Sequence, residues 1–477
     1  MSTNEDTISR GTLLALVAMA LGVFVIANDF TALSVAIPEL ESDLDTTLTK
    51  AQWVINGYAL VFGVLIVTGG RLADLFGRKR VFMIGATIFA AFSLLAGLMP
   101  NVELLILCRG LMGVGGALMW PAILGMTYAL LPDSKAGLAG GLILGVAGLG
   151  NAIGPMLGGF LTDELSWRWV FFVNVPIAAF AMFVTWRHVS ETKVDTTERH
   201  IDYLGILVLS AGIVSILVAL DEGPGTGFDD PLIIGLFVAG ALLLSSFVVV
   251  ERRQGDGALV PRDVLRNRVF AASCASVLLM SAIFFAALLY LPQFMEKILG
   301  YSALGSGAGL LPMMGVFAVT SFVAGGLYGR LGARVVVAGG AAFLGIGMLL
   351  LSFVDADSTY SALVPGMIVL GVGVGLFYSS ITTTAVTALD PSRASLAGGI
   401  VYMCQIAGGA VGLGLNTAIV AAGSDLADGI SIAFRVDAAL ALVGLIVVLV
   451  FIGRGDDAAT RGAPHLAALR ARHRAHA

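Results

Sequence analysis

Fourteen apolar runs follow one another along this chain, each about the 20 residues that a helix needs to cross a bilayer core. They lie near residues 13–37, 51–71, 81–99, 104–131, 138–162, 168–187 and 203–221, then 231–250, 270–293, 305–328, 335–354, 361–388, 395–421 and 436–453. Charge agrees with that pattern. Only 12% of the 477 residues are Asp, Glu, Lys or Arg, against about 25% in a soluble domain. The 61 glycines suit helices that pack closely or bend in lipid. The sequence therefore predicts an all-α polytopic membrane protein, and an even number of spans puts both ends on one side.

Basic residues orient the spans. With the N-terminus inside, 22 of the 27 Lys and Arg residues fall in inside segments. Arg71, Arg78, Lys79 and Arg80 follow span 2, and Arg252, Arg253, Arg262, Arg266 and Arg268 follow span 8. Only Lys50, Arg168, Lys297 and Arg435 face outside, with Arg109 inside a span. This positive-inside bias predicts cytoplasmic termini and a multi-pass protein of the inner membrane. The polar start, Met1 to Arg10, leads into an apolar run without a cleavage site, so no signal peptide is expected. Cys108, Cys274 and Cys404 fall singly in apolar runs, with no disulfide framework and no metal-ligand spacing.

The two ends of the chain echo each other at an offset of 255–258 residues. Gly70-Arg71-Leu72 with Gly77 matches Gly325-Gly326-Leu327 with Gly332, and Gly113-Val114-Gly115 matches Gly371-Val372-Gly373. Ser134-Lys135-Ala136 matches Ser392-Arg393-Ala394, Ala139-Gly140-Gly141 matches Ala397-Gly398-Gly399, and Gly150 and Gly154 match Gly408 and Gly412. Repeated halves with a substrate site at their interface are the build of many secondary transporters. The offset is too long for six spans and fits eight. The expected division is a six-helix half at 1–190, two inserted helices with their connectors at 191–268, a second six-helix half at 269–455, and a tail at 456–477.

Between spans 2 and 3 runs Gly70-Arg71-Leu72-Ala73-Asp74-Leu75-Phe76-Gly77-Arg78-Lys79-Arg80. Its glycines allow close backbone approach and a tight turn, and its charges hold the loop at the inner surface. The pattern resembles the helix 2–3 loop signature of the major facilitator superfamily, transporters that work by alternating access. Fourteen spans arranged as above resemble that superfamily's drug:proton antiporter-2 branch. The resemblance implies a gating role for Gly70, Asp74, Gly77, Arg78, Lys79 and Arg80.

Three further stretches carry the likeness. In span 1, Asn28-Asp29-Phe30-Thr31 and Val35-Ala36-Ile37-Pro38 are similar to the branch signature, with Asn28 and Ser34 as departures. In span 4, Leu107-Cys108-Arg109-Gly110 to Gly115 resembles an Arg-centred motif in which Met112 replaces the usual Gln. Asp29 and Arg109 lie roughly 12 Å and 9 Å from the outer ends of their spans at 1.5 Å per residue, so they could meet. An ionisable group at such depth is costly unless paired or hydrated, and this pair is the expected proton-coupling unit. In span 5, Gly150, Gly154, Pro155, Gly158 and Gly159 reproduce an antiporter signature that in the family marks exporters. Trp167-Arg168-Trp169 to Asn174-Val175-Pro176 also matches the branch and is assigned to structure, its tryptophans to an outer interfacial belt.

Candidate substrate groups are Trp53, Asn56, Tyr58, Trp120, Tyr290, Gln293, Tyr402 and Gln405, since aromatic and amide groups suit bulky lipophilic ligands. The second half offers no deep carboxylate: Glu296, Asp355, Asp390 and Asp437 fall at loops or span ends. That argues against dications as preferred cargo. No Gly-x-x-x-x-Gly-Lys-Ser/Thr loop is present, which excludes an ATP-driven pump in one chain. His188, His200, His465, His473 and His476 all lie in inside segments, which argues against membrane haem, and no metal site is expected. The basic stretch from Arg461 to Ala477 reads as a solvated end near anionic lipid. The expectation is a secondary exporter, not an enzyme, exchanging protons for lipophilic or cationic drug-like small molecules. It should work as a monomer in the bilayer, without nucleic acid and with no cofactor beyond the proton gradient. Beside it stand a dedicated exporter of one endogenous metabolite, antibiotic or lipid, and a non-transporting membrane sensor.

Overall fold

The computed structural model describes residues 9–191, 202–227, 229–254 and 258–452. The predicted tail at 456–477, and four of the five histidines, lie outside the described residues. Every regular element is a helix among the described residues, and fourteen are long and apolar enough to cross a membrane. They are α1 (Arg10–Asp43), α2 (Leu48–Phe76), α3 (Arg78–Ala96), α4 (Val102–Leu130), α5 (Ala136–Glu164), α6 (Trp169–His188) and α7 (Tyr203–Thr226). Then follow α8 (Pro231–Gln254), α9 (Arg268–Lys297), α10 (Leu304–Leu331), α11 (Ala333–Leu351), α12 (Tyr360–Thr387), α13 (Ala394–Ala421) and α14 (Leu426–Phe451).

Local chemistry sets the helix ends. Asn101, Asn267 and Asp425 each accept a backbone N–H of the first turn of α4, α9 and α14, which satisfies one of the orphan donors there. Gly77 alone separates α2 from α3 and sits at φ +105°, as Gly332 at φ +79° separates α10 from α11. Such backbone is open to glycine and strained for other residues. In α1, Pro38 has no N–H to give the carbonyl one turn back, and the chain tightens there into a 3-10 turn at Leu33–Ala36.

Packing shows a duplicated plan. Within the first half α1 packs on α5 and α6, and α4 packs on α2 and α3; within the second, α9 packs on α13 and α14, and α12 on α10 and α11. The halves meet where α2 lies along α13 and where α5 lies along α10. Both seams use glycine at equivalent places. A Cβ on Gly70 would stand 2.6 Å from the Ser395 carbonyl oxygen, and one on Gly325 would stand 2.6 Å from that of Gly137. One on Gly399 would stand 2.7 Å from the Ile66 carbonyl oxygen, and one on Gly141 would stand 2.7 Å from that of Ser321. These pairs are related by the same 255- and 258-residue offsets as the sequence echo.

Helices α7 and α8 zip to each other, with Gly212 against Leu244 and Gly240 against Ile216. They attach to the rest mainly where α7 touches α2 and α13. Most of α8 faces outward, with Leu232, Ile234, Val238, Leu242, Val248 and Val249 exposed. In water that stripe would be a liability, whereas acyl chains solvate it. The end of the bundle carrying Arg71, Arg78, Lys79 and Arg80 is called the basic end below.

One expectation about depth is overturned. Span 14 begins at Leu426, not at 436, because Asp425 caps a helix whose first turns carry Asp428 and Arg435. Those charges hide the helix start from hydropathy. Asp437 is therefore mid-helix and wholly buried. The second half does contain a deep carboxylate.

Candidate functional site: a buried ion pair and a latch between halves

Asp29 and Arg109 meet. Arg109 comes from α4 and is 0% exposed; Asp29 comes from α1 and is 1% exposed. Arg109 Nη1 donates to Asp29 Oδ2, and its Nε donates 2.7 Å to the Val54 carbonyl of α2. Its guanidinium lies 4.4 Å from the centre of the Tyr58 ring and 5.8 Å from that of Phe171. Such cation–ring contacts contribute about 2 kcal/mol when desolvated. Removing one member of a buried pair costs about 3–5 kcal/mol, since the other charge is left without a partner.

Asp29 has a second neighbour that sequence reasoning assigned to structure. Asn174 Nδ2, on α6, donates 3.1 Å to Asp29 Oδ1 and 3.2 Å to Ser93 Oγ of α3. Ser93 in turn donates 2.8 Å to the Phe171 carbonyl. The carboxylate thus has one oxygen on Arg109 and the other on Asn174. Arg109 Nη2, Tyr58 Oη, Asn174 Oδ1 and Asn28 Oδ1 are buried without a hydrogen-bond partner among the described residues. A cluster holding spare donors and acceptors can re-pair when its helices shift, which a fully satisfied one cannot. The span 6 signature held the one available signal, an Asn inside an apolar run.

The loop motif builds a latch. Arg78 Nε and Nη2 both donate 3.1 Å to Asp74 Oδ1, on the first half. Asp74 also accepts the backbone N–H groups of Ser395 at 3.3 Å and Leu396 at 2.8 Å, at the start of α13 in the second half. Arg78 Nη1 donates 3.0 Å to the Gly125 carbonyl, and Nη2 donates 2.5 Å to that of Pro391. A carboxylate at a helix N-terminus meets both orphan donors and the positive end of the helix dipole. Both side chains are nearly sealed from solvent. Lys79 and Arg80 are placed differently. Their backbone N–H groups donate to Glu191, which caps α3, while Lys79 Nζ donates to the Trp186 and Val189 carbonyls.

Three of the span 5 glycines share one face. Gly150 and Gly154 lie against Ala27 and Thr31 of α1, and Gly158 lies against the Ala32 backbone. Pro155 and Gly159 turn instead to the second half, toward Gly307 and Leu304 of α10. The motif therefore sits where α1 is pressed against α5 and α5 against the other half.

The eight substrate candidates separate. Tyr58, Trp120 and Tyr290 are buried, Tyr290 with its hydroxyl 2.9 Å from that of Thr417. Trp53, Asn56, Gln293, Tyr402 and Gln405 are half-buried. An aromatic chain joins both halves near the ion pair. Tyr58 stacks on Phe62 at 5.9 Å, Phe62 meets Tyr402 of α13 edge-on at 5.5 Å, and Tyr402 lies 4.5 Å from Trp120. Trp167 is not an interfacial anchor. It is wholly buried, its indole N–H donating 3.1 Å to Asp43, while Trp169 is 46% exposed.

Comparison with known proteins fits this geometry. The chain is 32% identical to Multidrug resistance protein Stp of Mycobacterium tuberculosis, over 87% of this chain and 77% of that one. It is 34% identical to Puromycin resistance protein pur8 of Streptomyces alboniger, over 84% and 80%. It is 31% identical to the Tetracenomycin C resistance and export protein of Streptomyces glaucescens, over 83% and 74%. Among solved structures, the human organic anion transporter MFSD10 (TETRAN) superposes with a TM-score of 0.65 at 14% identity, over 92% of this chain and 99% of that one. That likeness concerns the fold alone. The sequence profile of the Major Facilitator Superfamily matches residues 19–319 and 308–474, and the chain belongs to that superfamily of membrane transporters.

Proposed function

We propose that this transporter is a proton-coupled exporter of lipophilic or cationic drug-like compounds, working by alternating access. The observation that carries the proposal is the buried Asp29–Arg109 pair with Asn174 on its second oxygen. When Asp29 is charged, Arg109 and Asn174 hold it. When a proton takes the place of Arg109 on Oδ2, the guanidinium is released from the carboxylate and α4 is no longer tied to α1, while Asn174 still holds Oδ1 from α6. Coupling then requires that the exposed side of the site change as the halves rock, while the Asp74–Arg78 latch holds the basic end shut in this conformer.

The basic end faces the cytoplasm in this proposal, both termini lie there, and the protein acts as a monomer in the cytoplasmic membrane. The names of the relatives support drug-like cargo. Purified protein in liposomes with an imposed pH gradient tests the proposal, with puromycin and a lipophilic cationic dye as cargo. Proton-driven accumulation is expected in wild type and its loss in Asp29→Asn, with downhill exchange retained. Undiminished proton-driven accumulation by Asp29→Asn sinks it. A second reading, one dedicated antibiotic or metabolite as cargo, is favoured by the relatives named for puromycin and tetracenomycin C. A susceptibility panel on a deletion strain separates the two, with broad sensitisation against sensitisation to a single compound.

A further inference from the structure

Asp437 has no place in the mechanism above, yet it is the most deeply placed carboxylate of the second half. It stands eleven residues from one end of α14 and fourteen from the other, which at about 1.5 Å per residue is near the bilayer middle. Both it and Asn416 of α13 are 0% exposed. Asn416 Nδ2 donates 3.2 Å to Asp437 Oδ1 and 2.9 Å to the Gly412 carbonyl, so its donors are used. Two acceptors remain. Asp437 Oδ2 and Asn416 Oδ1 are buried with no partner among the described residues.

Helices α9, α11 and α13 pack against α14. From α9 the ionisable groups are Arg268, Cys274, Tyr290, Glu296 and Lys297; from α11, Arg334; from α13, Cys404 and Tyr402, whose ring lies against Phe62 and Trp120; from α14 itself, Asp428 and Arg435. Arg268, Glu296, Lys297 and Arg334 lie at helix ends, and Arg334 donates to the Leu449 carbonyl. Arg435 is exposed, two residues along α14 and so on another face. Tyr290 pairs with Thr417. No cation among the described residues bonds to Asp437, in contrast to Asp29.

An unpaired buried carboxylate costs several kcal/mol, and here a second lone acceptor adds to the cost. One proton on Oδ2 removes the charge and turns an acceptor into a donor. We propose that Asp437, held in place by Asn416, is a second proton-binding site, in the opposite half from Asp29. The proton comes from water and returns to water, and no other bond changes. This site does not depend on the role proposed for Asp29.

Infrared spectroscopy of the full-length protein in lipid nanodiscs reads the site directly, through the carbonyl stretch of a protonated carboxyl group. At neutral pH that band is expected in wild type, retained in Asp29→Asn, shifted in Asn416→Ala and lost in Asp437→Asn. Identical spectra for wild type and Asp437→Asn at every pH overturn the proposal. An unshifted band in Asn416→Ala overturns Asn416's part in it. Should Asp437→Asn fail to fold, Asp437→Glu must move the band, and an unmoved band also overturns the proposal. Because Asp29→Asn is read separately, failure of the Asp29 assignment leaves this result intact.

Discussion

At the scale of single residues, the arrangement at Asp29 separates what a charge does from what an amide does. Arg109 balances the charge of Asp29, whereas Asn174 aims its second oxygen and ties it to Ser93. Asp29→Asn and Arg109→Ala each remove one side of the pair, so their effects on pH-driven transport should overlap. The double variant is expected to lose little more than the worse single one, with an interaction energy of about 0.5–3 kcal/mol on a double-mutant cycle. Simple additivity in liposome assays would mean the two residues act apart. Asn174→Ala keeps the ion pair and removes its aim. It should leave some transport while changing how the rate depends on pH, whereas an unchanged pH profile would make Asn174 a packing residue. The pair itself was legible in the sequence, because two ionisable residues at similar depth in apolar helices have few partners. Asn174 was not, since an uncharged amide in an apolar run is a far weaker signal than a charge. Asp437 was missed for the opposite reason: neighbouring charges Asp428 and Arg435 drew the hydropathy boundary to 436, so that Asp437 read as a span end.

At the scale of elements, the two helix-pair seams are built alike but latched differently. Gly70 and Gly325 give both seams the same close backbone approach. Only the seam of α2 and α13 has a carboxylate on a helix start, because Gly329 stands where the repeat would put the counterpart of Asp74. The basic end is thus held by ionic hydrogen bonds where α2 meets α13, whereas between α4 and α12 a neutral hydrogen bond between Tyr128 and Thr383, 3.0 Å, joins the halves. Asp74→Asn keeps the shape and removes the charge that faces the α13 N-terminus, an attraction of up to about 2 kcal/mol in partly buried geometry. Turnover in liposomes should fall while cargo binding in detergent stays near wild type. Normal turnover would leave the loop a topological anchor only. Gly70→Val tests the packing component by a different route. Its side chain would collide with the Ser395 backbone, so it should lower both turnover and thermal stability. Element order, loop motif and repeat were all legible, because each is written in periodic apolar runs and glycine spacing. That α5 presses Gly150, Gly154 and Gly158 on α1 but Pro155 and Gly159 on the other half was not legible. Helical phase shows that a face is small, not which neighbour fills it.

At the scale of the whole molecule, α7 and α8 are an appendage whose exterior lipid solvates, and its connector reaches the seam between halves at the basic end. Asp263 pairs with Arg393 at 2.7 Å, just before α13, and Asn267 Nδ2 donates 2.6 Å to the Ala388 carbonyl after α12. The inserted pair therefore leaves the bundle and returns to it at the same end, as two crossings do. That end carries the basic clusters, and the bias of Lys and Arg toward one side of short loops is what sets orientation during insertion. If the basic end is cytoplasmic, a reporter active only in the cytoplasm should work when fused after Ala477. A reporter active only outside it should work when inserted at Gly225, at the end of α7 away from the basic end. The two fusions test different things. The first reports the side of the tail, and the second reports whether α7 and α8 truly span and do not lie along the interface. A cytoplasmic signal at Gly225 together with a cytoplasmic tail would mean an even number of crossings without the inserted pair. The connector would then still meet α13, but α7 and α8 would no longer count among the spans.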